Sequence, residues 1–214
     1  DKKSEAAKKY ISGLIKDCKR VCIVDIGWRG QGALALKSLI EEKWMLDCDI
    51  YGTVAASAPT KANSAQLAKG IINSYMFSPL ENIDCFKFHS KNAINNVLTE
   101  LLVGAPHPSL KSIQPVGDSY EFVFDVPEIS NYPIMEGVHK GIKDFVEEYF
   151  EHFKNCPYMF NISGHDAYMP IMYIFKDYRF MKKFFGRYEF QDFVGGVLGY
   201  QSRTIKDVFN KFKL

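Results

Sequence analysis

The stretch that decides the fold is VCIVDIGWRGQGALALKSLIEEKW, residues 21–44. Its first six residues are apolar except for Asp25, as in an inner parallel strand with helices on either side. Glycines follow at positions 27, 30 and 32, and the segment from Ala33 to Glu42 has helical spacing. A strand that passes through a glycine turn into a helix often binds phosphate, because free N–H groups and the helix dipole converge there.

The surrounding sequence favours an α/β fold. A second strand is predicted at Asp49–Ala55, so a βαβ unit is the simplest interpretation. A helix is predicted over residues 4–19, with Ser4 as its cap. Another is predicted from Asn92 to Val103, and it should end at Gly104. We therefore predict a Rossmann-like, mostly parallel sheet flanked by helices, with a helical C-terminal part.

The C-terminal half is predicted to be mainly helical after a strand at Ser119–Val126. The clearest helix of the chain combines a charged face with a broad apolar stripe, formed by Val138, Ile142, Phe145, Val146, Tyr149, Phe150 and Phe153. The tail from Ala167 is aromatic, basic and helical in pattern, with predicted breaks at Pro170, Gly186 and Gly195–Gly196.

We expect a Rossmann-like core over residues 1–135 and a helical part over 136–214, packed together as one compact unit. The opening on Asp1 suggests that the chain is a fragment or processed form whose upstream domain is missing. Five scattered cysteines without a CxxC pair indicate a reducing compartment and no metal site.

Composition narrows the class of function. Of the 214 residues, 47% are hydrophobic and the formal net charge is +2, which suits a folded globular core. No long apolar run or secretory signal occurs, so we expect a cytoplasmic location, free or at the inner face of the membrane. Basic residues concentrate at both ends, where they could make peripheral contact with anionic lipid. No signature of a nucleic-acid partner is present.

The glycine turn is a candidate ligand site but not a dinucleotide site. Its G-x-x-G-x-G spacing reverses the dinucleotide fingerprint and lacks the residues of a P-loop. Gly27, Gly30 and Gly32 would cradle a phosphate. At the crest, Trp28 offers a stacking face and Arg29 a bidentate phosphate donor. The alternative is that Trp28 packs under a neighbouring loop and Arg29 pairs with a surface acid.

Asp25 stands where an aspartyl-phosphate enzyme has its nucleophile, in the pattern D-x-D-x-[TV]. Here Gly27 replaces the second acid, and no threonine follows. Phosphatase chemistry at Asp25 is therefore not expected. We assign its carboxylate to orienting the glycine turn by accepting backbone N–H groups.

A second cluster lies in TELLVGAPHPSLKS, which contains Glu100, His107, Ser109 and Lys111. The histidine has a pKa near working pH and is held beside two prolines, so His107 is the candidate catalytic residue. Glu100 and Ser109 are candidate ligand-binding residues. The alternative for His107 is a structural role in which its imidazole caps a neighbouring carbonyl.

A third cluster, NISGHDAYMP, combines an ordinary helix start with a candidate ligand residue. Ser163 and Asp166 form a reduced capping box, which accounts for most of the pattern. His165 could face the same cleft as the other candidates. The remaining histidines lie on strand or helix patterns and are expected to be structural: His89, His139 and His152.

The segments VDIGWRGQGALALKSLIEE, IYGTV and TELLVGAPHPSLKSI occur in a familiar order. They resemble the region downstream of the phosphatase-like module in bacterial predicted hydrolases of the haloacid dehalogenase superfamily, which are linked to surface-polysaccharide biosynthesis. The resemblance covers roughly residues 8–125 and implies that the phosphatase motifs lie upstream. The turn and the later Glu100, Leu102 and Ala105-Pro106 are also similar to the nucleotide-sugar-binding half of two-domain, Rossmann-like (GT-B type) glycosyltransferases.

These resemblances lead to one expected function and two rivals. The first is a glycosyltransferase-like domain that binds a nucleotide sugar or phosphate ligand in bacterial surface-polysaccharide assembly. One rival is part of a haloacid dehalogenase-type hydrolase of phosphate esters. The other is a non-catalytic module whose aromatic, basic tail docks on a partner or a membrane. The sequence leaves open any need for Mg²⁺ and whether the chain alone is an enzyme.

Overall fold

A computed structural model describes residues 2–57, 61–91, 94–108, 110–124, 131–193 and 200–211. It confirms the predicted α/β class with a helical C-terminal part. The helices are α1 (Lys2–Ile15), α2 (Gln31–Lys37), α3 (Lys61–Ala68), α4 (Ile83–Ser90), α5 (Ile94–Val103), α6 (Tyr132–Phe153), α7 (Gly164–Lys176), α8 (Tyr178–Phe185) and α9 (Ile205–Lys211). The strands are β1 (Arg20–Asp25), β2 (Asp49–Val54), β3 (Ile72–Ser74), β4 (Leu110–Val116), β5 (Ser119–Phe124), β6 (Glu189–Phe193) and β7 (Tyr200–Thr204).

The chain divides into two compact units. The first comprises Asp1–Phe86 and Pro108–Pro127, and the second comprises Lys87–His107 and Glu128–Leu214. Each unit has its own buried core. The domain boundary between residues 135 and 136 stays a prediction.

The first unit contains a parallel sheet with the strand order β1-β2-β3. β1 pairs with β2 from Arg20 opposite Asp49 to Asp25 opposite Val54. β3 pairs in parallel with the end of β2. The predicted succession of strand, glycine turn, helix and parallel strand is therefore present.

β1 lies at the edge of the described parallel strands, not inside the sheet as the sequence predicted. Val21 and Ile23 pack toward a core that includes the buried side chains of Ile40 and Trp44. On the opposite face of the strand, Val24 is 80% exposed. Apolar residues on both faces of a segment indicate that it forms a β-strand. How much of each face is buried depends on the elements that pack against it.

The helix after the glycine turn starts earlier and continues differently from the prediction of Ala33–Glu42. α2 begins after Gly30, which adopts a left-handed φ of 60°. At Lys37 it continues directly into a π-helical turn over Ser38–Lys43. The N–H of Trp44 accordingly donates to the carbonyl of Leu39, five residues earlier, at 2.8 Å.

One local prediction for the first unit is wrong, and one strand was not predicted. α1 begins by Lys2, so Ser4 lies within the helix and does not cap its start. β4 was not predicted, and it places Lys111 in a strand paired antiparallel with β5. The hairpin carries aromatic rings whose edges contact Tyr10 of α1, with centroid distances of 5.4 Å to Tyr120 and 5.1 Å to Phe122.

The second unit is mainly helical. Its buried core joins side chains from four helices, α5, α7, α8 and α9: Ile94, Leu98, Leu101, Phe175, Met181 and Ile205.

α5 ends before Gly104 as predicted. α7 continues through Pro170, so the predicted break there is wrong; a proline removes one backbone hydrogen bond without necessarily ending a helix. α8 ends before Gly186 as predicted, and Gly195–Gly196 lie outside the described residues.

Candidate functional site

The glycine turn leaves β1 at the carboxyl end of the parallel strands, where open α/β sheets bind ligands. The hydrogen bond predicted for Asp25 is present: its Oδ1 accepts the N–H of Gly27 at 2.6 Å. The other carboxylate oxygen, Oδ2, lies 3.6 Å from the point that a Cβ on Gly32 would occupy. The carboxylate of Asp25 thus lies beside the turn and uses an N–H group that a phosphate would need. Two anions held there would repel each other.

Trp28 packs within the first unit. Its indole stacks on the ring of Phe77, with 6.2 Å between ring centroids and 23° between the ring planes. Phe77 is buried, and its carbonyl accepts hydrogen bonds from the N–H of Ser57 and the hydroxyl of Ser74. One face of the indole is therefore covered by the protein, in agreement with the packing alternative. Arg29 is exposed at the crest of the turn.

The structure brings Asp25, Gly27 and Gly32 together through the fold of the turn itself. Gly30 is buried against the side chain of Ile72 and serves the backbone conformation of the turn. The contacts of Asp25 and Ile72 with these glycines therefore stabilise the conformation of the turn.

The other sequence-predicted candidates belong to the second unit or lie outside the described residues. Glu100 is exposed on α5, and its backbone carbonyl accepts the N–H of Gly104 at 2.6 Å. His107 is exposed after that helix. Ser109 lies outside the described residues, so the pairing of His107 with Ser109 stays a prediction.

His165 lies in the first turn of α7. The predicted cap is confirmed, because Oγ of Ser163 accepts the N–H of Asp166 at 3.1 Å. The Nδ1 atom of His165 is 3.6 Å from a carboxylate oxygen of Asp166. The local geometry is that of a capped helix start with a neighbouring ion pair, which forms when the imidazole is protonated.

A buried polar network in the second unit was missed by the sequence analysis. Nδ1 of His89 lies 2.7 Å from the hydroxyl of Tyr168, and Nε2 lies 2.7 Å from Oδ1 of Asn96. Because an amide oxygen only accepts, Nε2 carries the proton and Nδ1 accepts from Tyr168. Burial lowers the pKa of His89, although the hydrogen bond to Asn96 opposes that shift. The side-chain amide of Asn95 donates to the carbonyl of His89 at 3.0 Å.

The centre of this network is buried, whereas Asn96 at its edge is half-buried. His89 is 4% exposed and Tyr168 is fully buried, so the imidazole acts as a structural residue, as predicted. No pattern in the sequence could have paired the two residues, since 79 positions separate them along the chain.

Among the described residues of the second unit, α6 exposes several large apolar side chains. Of its 22 residues, Met135 alone is buried. The apolar side chains toward its C-terminal end form what we call the α6 face, with these exposed fractions: Ile142 44%, Phe145 63%, Val146 40% and Phe150 52%. The predicted apolar stripe is therefore present on α6. Most of these side chains are exposed, and no described residue buries them.

On the opposite, charged side of α6, lysines form ion pairs with carboxylates of the same helix. The ammonium of Lys140 bonds to Asp144 at 2.5 Å, and that of Lys143 lies 3.8 Å from Glu147. Helical spacing of four residues places such pairs side by side on the helix surface. The helix is thus strongly amphipathic.

A 3-10 turn over Pro157–Phe160 extends the apolar surface beside the end of α6. The ring of Phe160 lies 4.6 Å from that of Phe150, measured between centroids. The hydroxyl of Tyr149 donates to the carbonyl of Met159 at 2.7 Å, which attaches this turn to the helix. The surface is therefore a supported structure and not a single isolated helix.

No protein-family model, no curated protein and no solved structure matches this sequence. Among the described residues, no helix is both long and apolar enough to cross a membrane. The residues themselves must therefore support any proposal about function.

Proposed function

We propose that the chain is a non-catalytic protein-interaction module, and that it docks a helical protein partner on the α6 face. The observation that supports this proposal is the exposure of large apolar side chains along one side of a long helix. Soluble proteins rarely leave a contiguous apolar surface open unless it binds something. An amphipathic helix with residues spaced three and four apart typically packs against a second apolar helix or groove.

The charge of α6 favours a protein over a lipid surface. Between Gly137 and Phe153 the helix carries two lysines and four carboxylates, Asp144, Glu147, Glu148 and Glu151. Helices that lie on membranes are usually rich in Lys and Arg on their polar face, since cytoplasmic leaflets are anionic. A negatively charged helix would be repelled there.

The aromatic tail offers less free surface than the sequence suggested. Tyr178, Phe185 and Tyr188 pack against the core of the second unit. Phe184 remains exposed in this segment, and Phe180 lies beside it with 4.6 Å between ring centroids. α6 is thus the better docking surface.

Site-specific photo-crosslinking tests this proposal. The photoreactive residue p-benzoyl-phenylalanine replaces Phe145 in the protein made in its own cells. The matched control carries the same residue at Lys140, an exposed position on the charged side of the helix. We expect a discrete covalent adduct from position 145 that is absent from position 140 and lost when Phe150→Glu is added. Equal adduct formation at both positions, or none at 145, would contradict the proposal.

A second candidate function is the binding of a nucleotide sugar at the glycine turn, within a glycosyltransferase-like domain of surface-polysaccharide assembly. The observation that favours it is the position of Asp25 and the exposed Arg29 at the carboxyl end of the parallel strands. In this proposal the carboxylate accepts sugar hydroxyls and the guanidinium binds phosphate.

Thermal-shift measurements with nucleotide sugars test this second candidate. A ligand that binds only the folded protein stabilises it by RT ln(1 + [L]/Kd), so the unfolding temperature rises with ligand concentration. We expect the shift to vanish in Arg29→Ala and to fall in Asp25→Asn. A shift that is unchanged in both variants would show that the ligand binds elsewhere. The absence of a shift with every nucleotide sugar would contradict this second candidate function.

A further inference from the structure

We infer, independently of docking on the α6 face, that Cys18 and Cys48 are a modification site of the first unit, where hydrogen peroxide oxidises them to a reversible disulfide. The two thiols stand before β1 and before β2, so the segment between them contains β1, the glycine turn and α2. Three observations support this site: a shared pocket, the pairing of the backbones beside the two cysteines, and their different burial.

Both cysteines line one surface pocket of about 540 Å³ in the first unit. The pocket is formed where the chain leaves α1 and where the link before β2 approaches it. The ammonium of Lys19 bonds to the carboxylate of Asp47, so an ion pair joins these two segments at the pocket. Pockets of this volume accept small ligands. A molecule as small as hydrogen peroxide can therefore enter beside the two cysteines.

The backbones that carry the two thiols run side by side. The N–H of Asp49 donates to the carbonyl of Lys19 at 2.9 Å, one residue beyond each cysteine. From there β1 and β2 pair in parallel, beginning with Arg20 opposite Asp49. Paired strands lie about 4.8 Å apart, and a disulfide joins Cα atoms that are about 4.4–6.8 Å apart. On this spacing Cys18 and Cys48 lie within reach of a disulfide.

The two thiols differ in burial, which gives them different roles. Cys18 is exposed, whereas Cys48 is 6% exposed. Burial raises the pKa of the Cys48 thiol, and a negative charge on Cys18 raises that pKa further. Because the thiolate is the reactive form, a buried cysteine with a raised pKa reacts slowly with an oxidant in solution. Cys18 is therefore oxidised first, and Cys48 then reacts with the oxidised sulfur.

The oxidation has two steps. The thiolate of Cys18 attacks one oxygen of hydrogen peroxide, the O–O bond breaks, and hydroxide leaves while Cys18 becomes a sulfenic acid. That hydroxide takes the proton of Cys48, whose thiolate attacks the sulfur of Cys18. An S–S bond forms, and a second hydroxide leaves and takes up the proton that Cys18 had released. The two thiols thus lose two electrons to the peroxide, which ends as two molecules of water. Two molecules of a small thiol such as glutathione reverse the change by exchange and become its disulfide.

Mass spectrometry of the purified chain after treatment with hydrogen peroxide tests the site. We expect the intact mass to fall by about 2 Da, digestion to yield a peptide pair that links Cys18 to Cys48, and dithiothreitol to reverse both changes. Cys18→Ser should abolish the linked pair. The matched control is Cys156→Ser, whose thiol belongs to the second unit and should leave the result unchanged. No linked pair, a bridge from Cys18 to Cys22, or a bridge between two chains would overturn the inference.

Thermal unfolding shows whether the bond fits the folded chain. A disulfide between these cysteines closes the loop that contains β1, the glycine turn and α2, and such a loop restricts the unfolded chain. We expect the oxidised wild type to unfold about 5–10 °C above the reduced wild type. Cys18→Ser should show no such rise, and its exposed position means that it should unfold like the reduced wild type. An unchanged or lower unfolding temperature after oxidation would show that the fold does not hold the two thiols in position for the bond.

Discussion

The Nδ1 atom of His89 accepts a hydrogen bond from the hydroxyl of Tyr168 across 2.7 Å, inside the core of the second unit. In this direction the bond requires a neutral imidazole, since a proton on Nδ1 would remove the acceptor and the hydroxyl of Tyr168 would have to accept instead. A polar contact in the core thereby makes the fold sensitive to pH.

Acidification should destabilise the second unit. The pKa of His89 is lowered in the folded chain, chiefly by burial, so the unfolded chain binds the proton more readily. This contribution to stability is complete above the unfolded pKa of about 6.5 and is lost as pH falls from there toward the folded pKa, at up to about 1.4 kcal/mol per pH unit. Urea unfolding at several pH values measures it. In His89→Gln the slope should diminish; an unchanged slope would place its origin in another group.

Removing the carboxylate of Asp25 should loosen the glycine turn. Asp25→Ala leaves the N–H of Gly27 without its acceptor, which we expect to cost about 1–2 kcal/mol in the free energy of unfolding. Asp25→Asn keeps an oxygen in place and should cost less than half as much. Guanidinium unfolding of the two variants gives the comparison. Equal losses would mean that the hydrogen bond is not the source of the effect.

Gly30 and Ile72 should be energetically coupled. A Cβ at Gly30 would lie 2.5 Å from Cδ1 of Ile72, and the left-handed φ adds strain. We expect Gly30→Ala to cost about 2–4 kcal/mol, of which about 1–2 kcal/mol comes from the backbone conformation. Ile72→Val removes Cδ1, so the double variant should be less destabilised than the sum of the single changes, by about 1 kcal/mol. Strict additivity in chemical unfolding would contradict this packing.

Two glycines of the second unit should respond oppositely to alanine. Gly137 lies inside α6 with nothing near its missing Cβ, so Gly137→Ala should stabilise the unit by about 0.5–1 kcal/mol. At Gly104 a Cβ would lie 2.7 Å from the carbonyl oxygen of Glu100 and 2.8 Å from Cε of Met135. Gly104→Ala should therefore destabilise the unit. Thermal unfolding of both variants provides the test, and shifts of the same sign would refute it.

Substitutions in α6 should change the free energy of unfolding strongly at its buried residue and only slightly on the α6 face. Phe145 is 63% exposed and Met135 is 6% exposed. Phe145→Ser should change the free energy of unfolding by less than about 1 kcal/mol, whereas Met135→Ser should cost about 2–5 kcal/mol. The measurement requires dilute protein, so that association does not contribute. Similar losses for both variants would indicate that Phe145 belongs to a core.

Features built from neighbouring residues were predictable from the sequence. The strand, glycine turn and helix at residues 21–44 are present, although the helix starts earlier and ends as a π-helical turn. The hydrogen bond from Gly27 to Asp25 spans two residues, and that from Asp166 to Ser163 spans three. Such bonds depend on local backbone geometry, so the residue types in a short window determine them.

Features that depend on distant contacts were not predictable. Apolar periodicity predicted the stripe on α6. It could not predict that Phe145 would remain exposed. The same limit applies to β1, whose apolar outer face holds the exposed Val24. His89 and Tyr168 meet across 79 residues, and no spacing along the chain encodes that contact.

The amino-acid sequence alone determined the α/β class, the parallel βαβ unit and the local bonds of the glycine turn and the α7 cap, because these follow from short-range propensity and hydrogen bonding. Only the tertiary structure decided which apolar faces are buried, where Trp28 packs and which polar groups share the core. Burial is a property of how separate elements assemble, and the free energy of removing a side chain from water depends on neighbours that the local sequence does not contain.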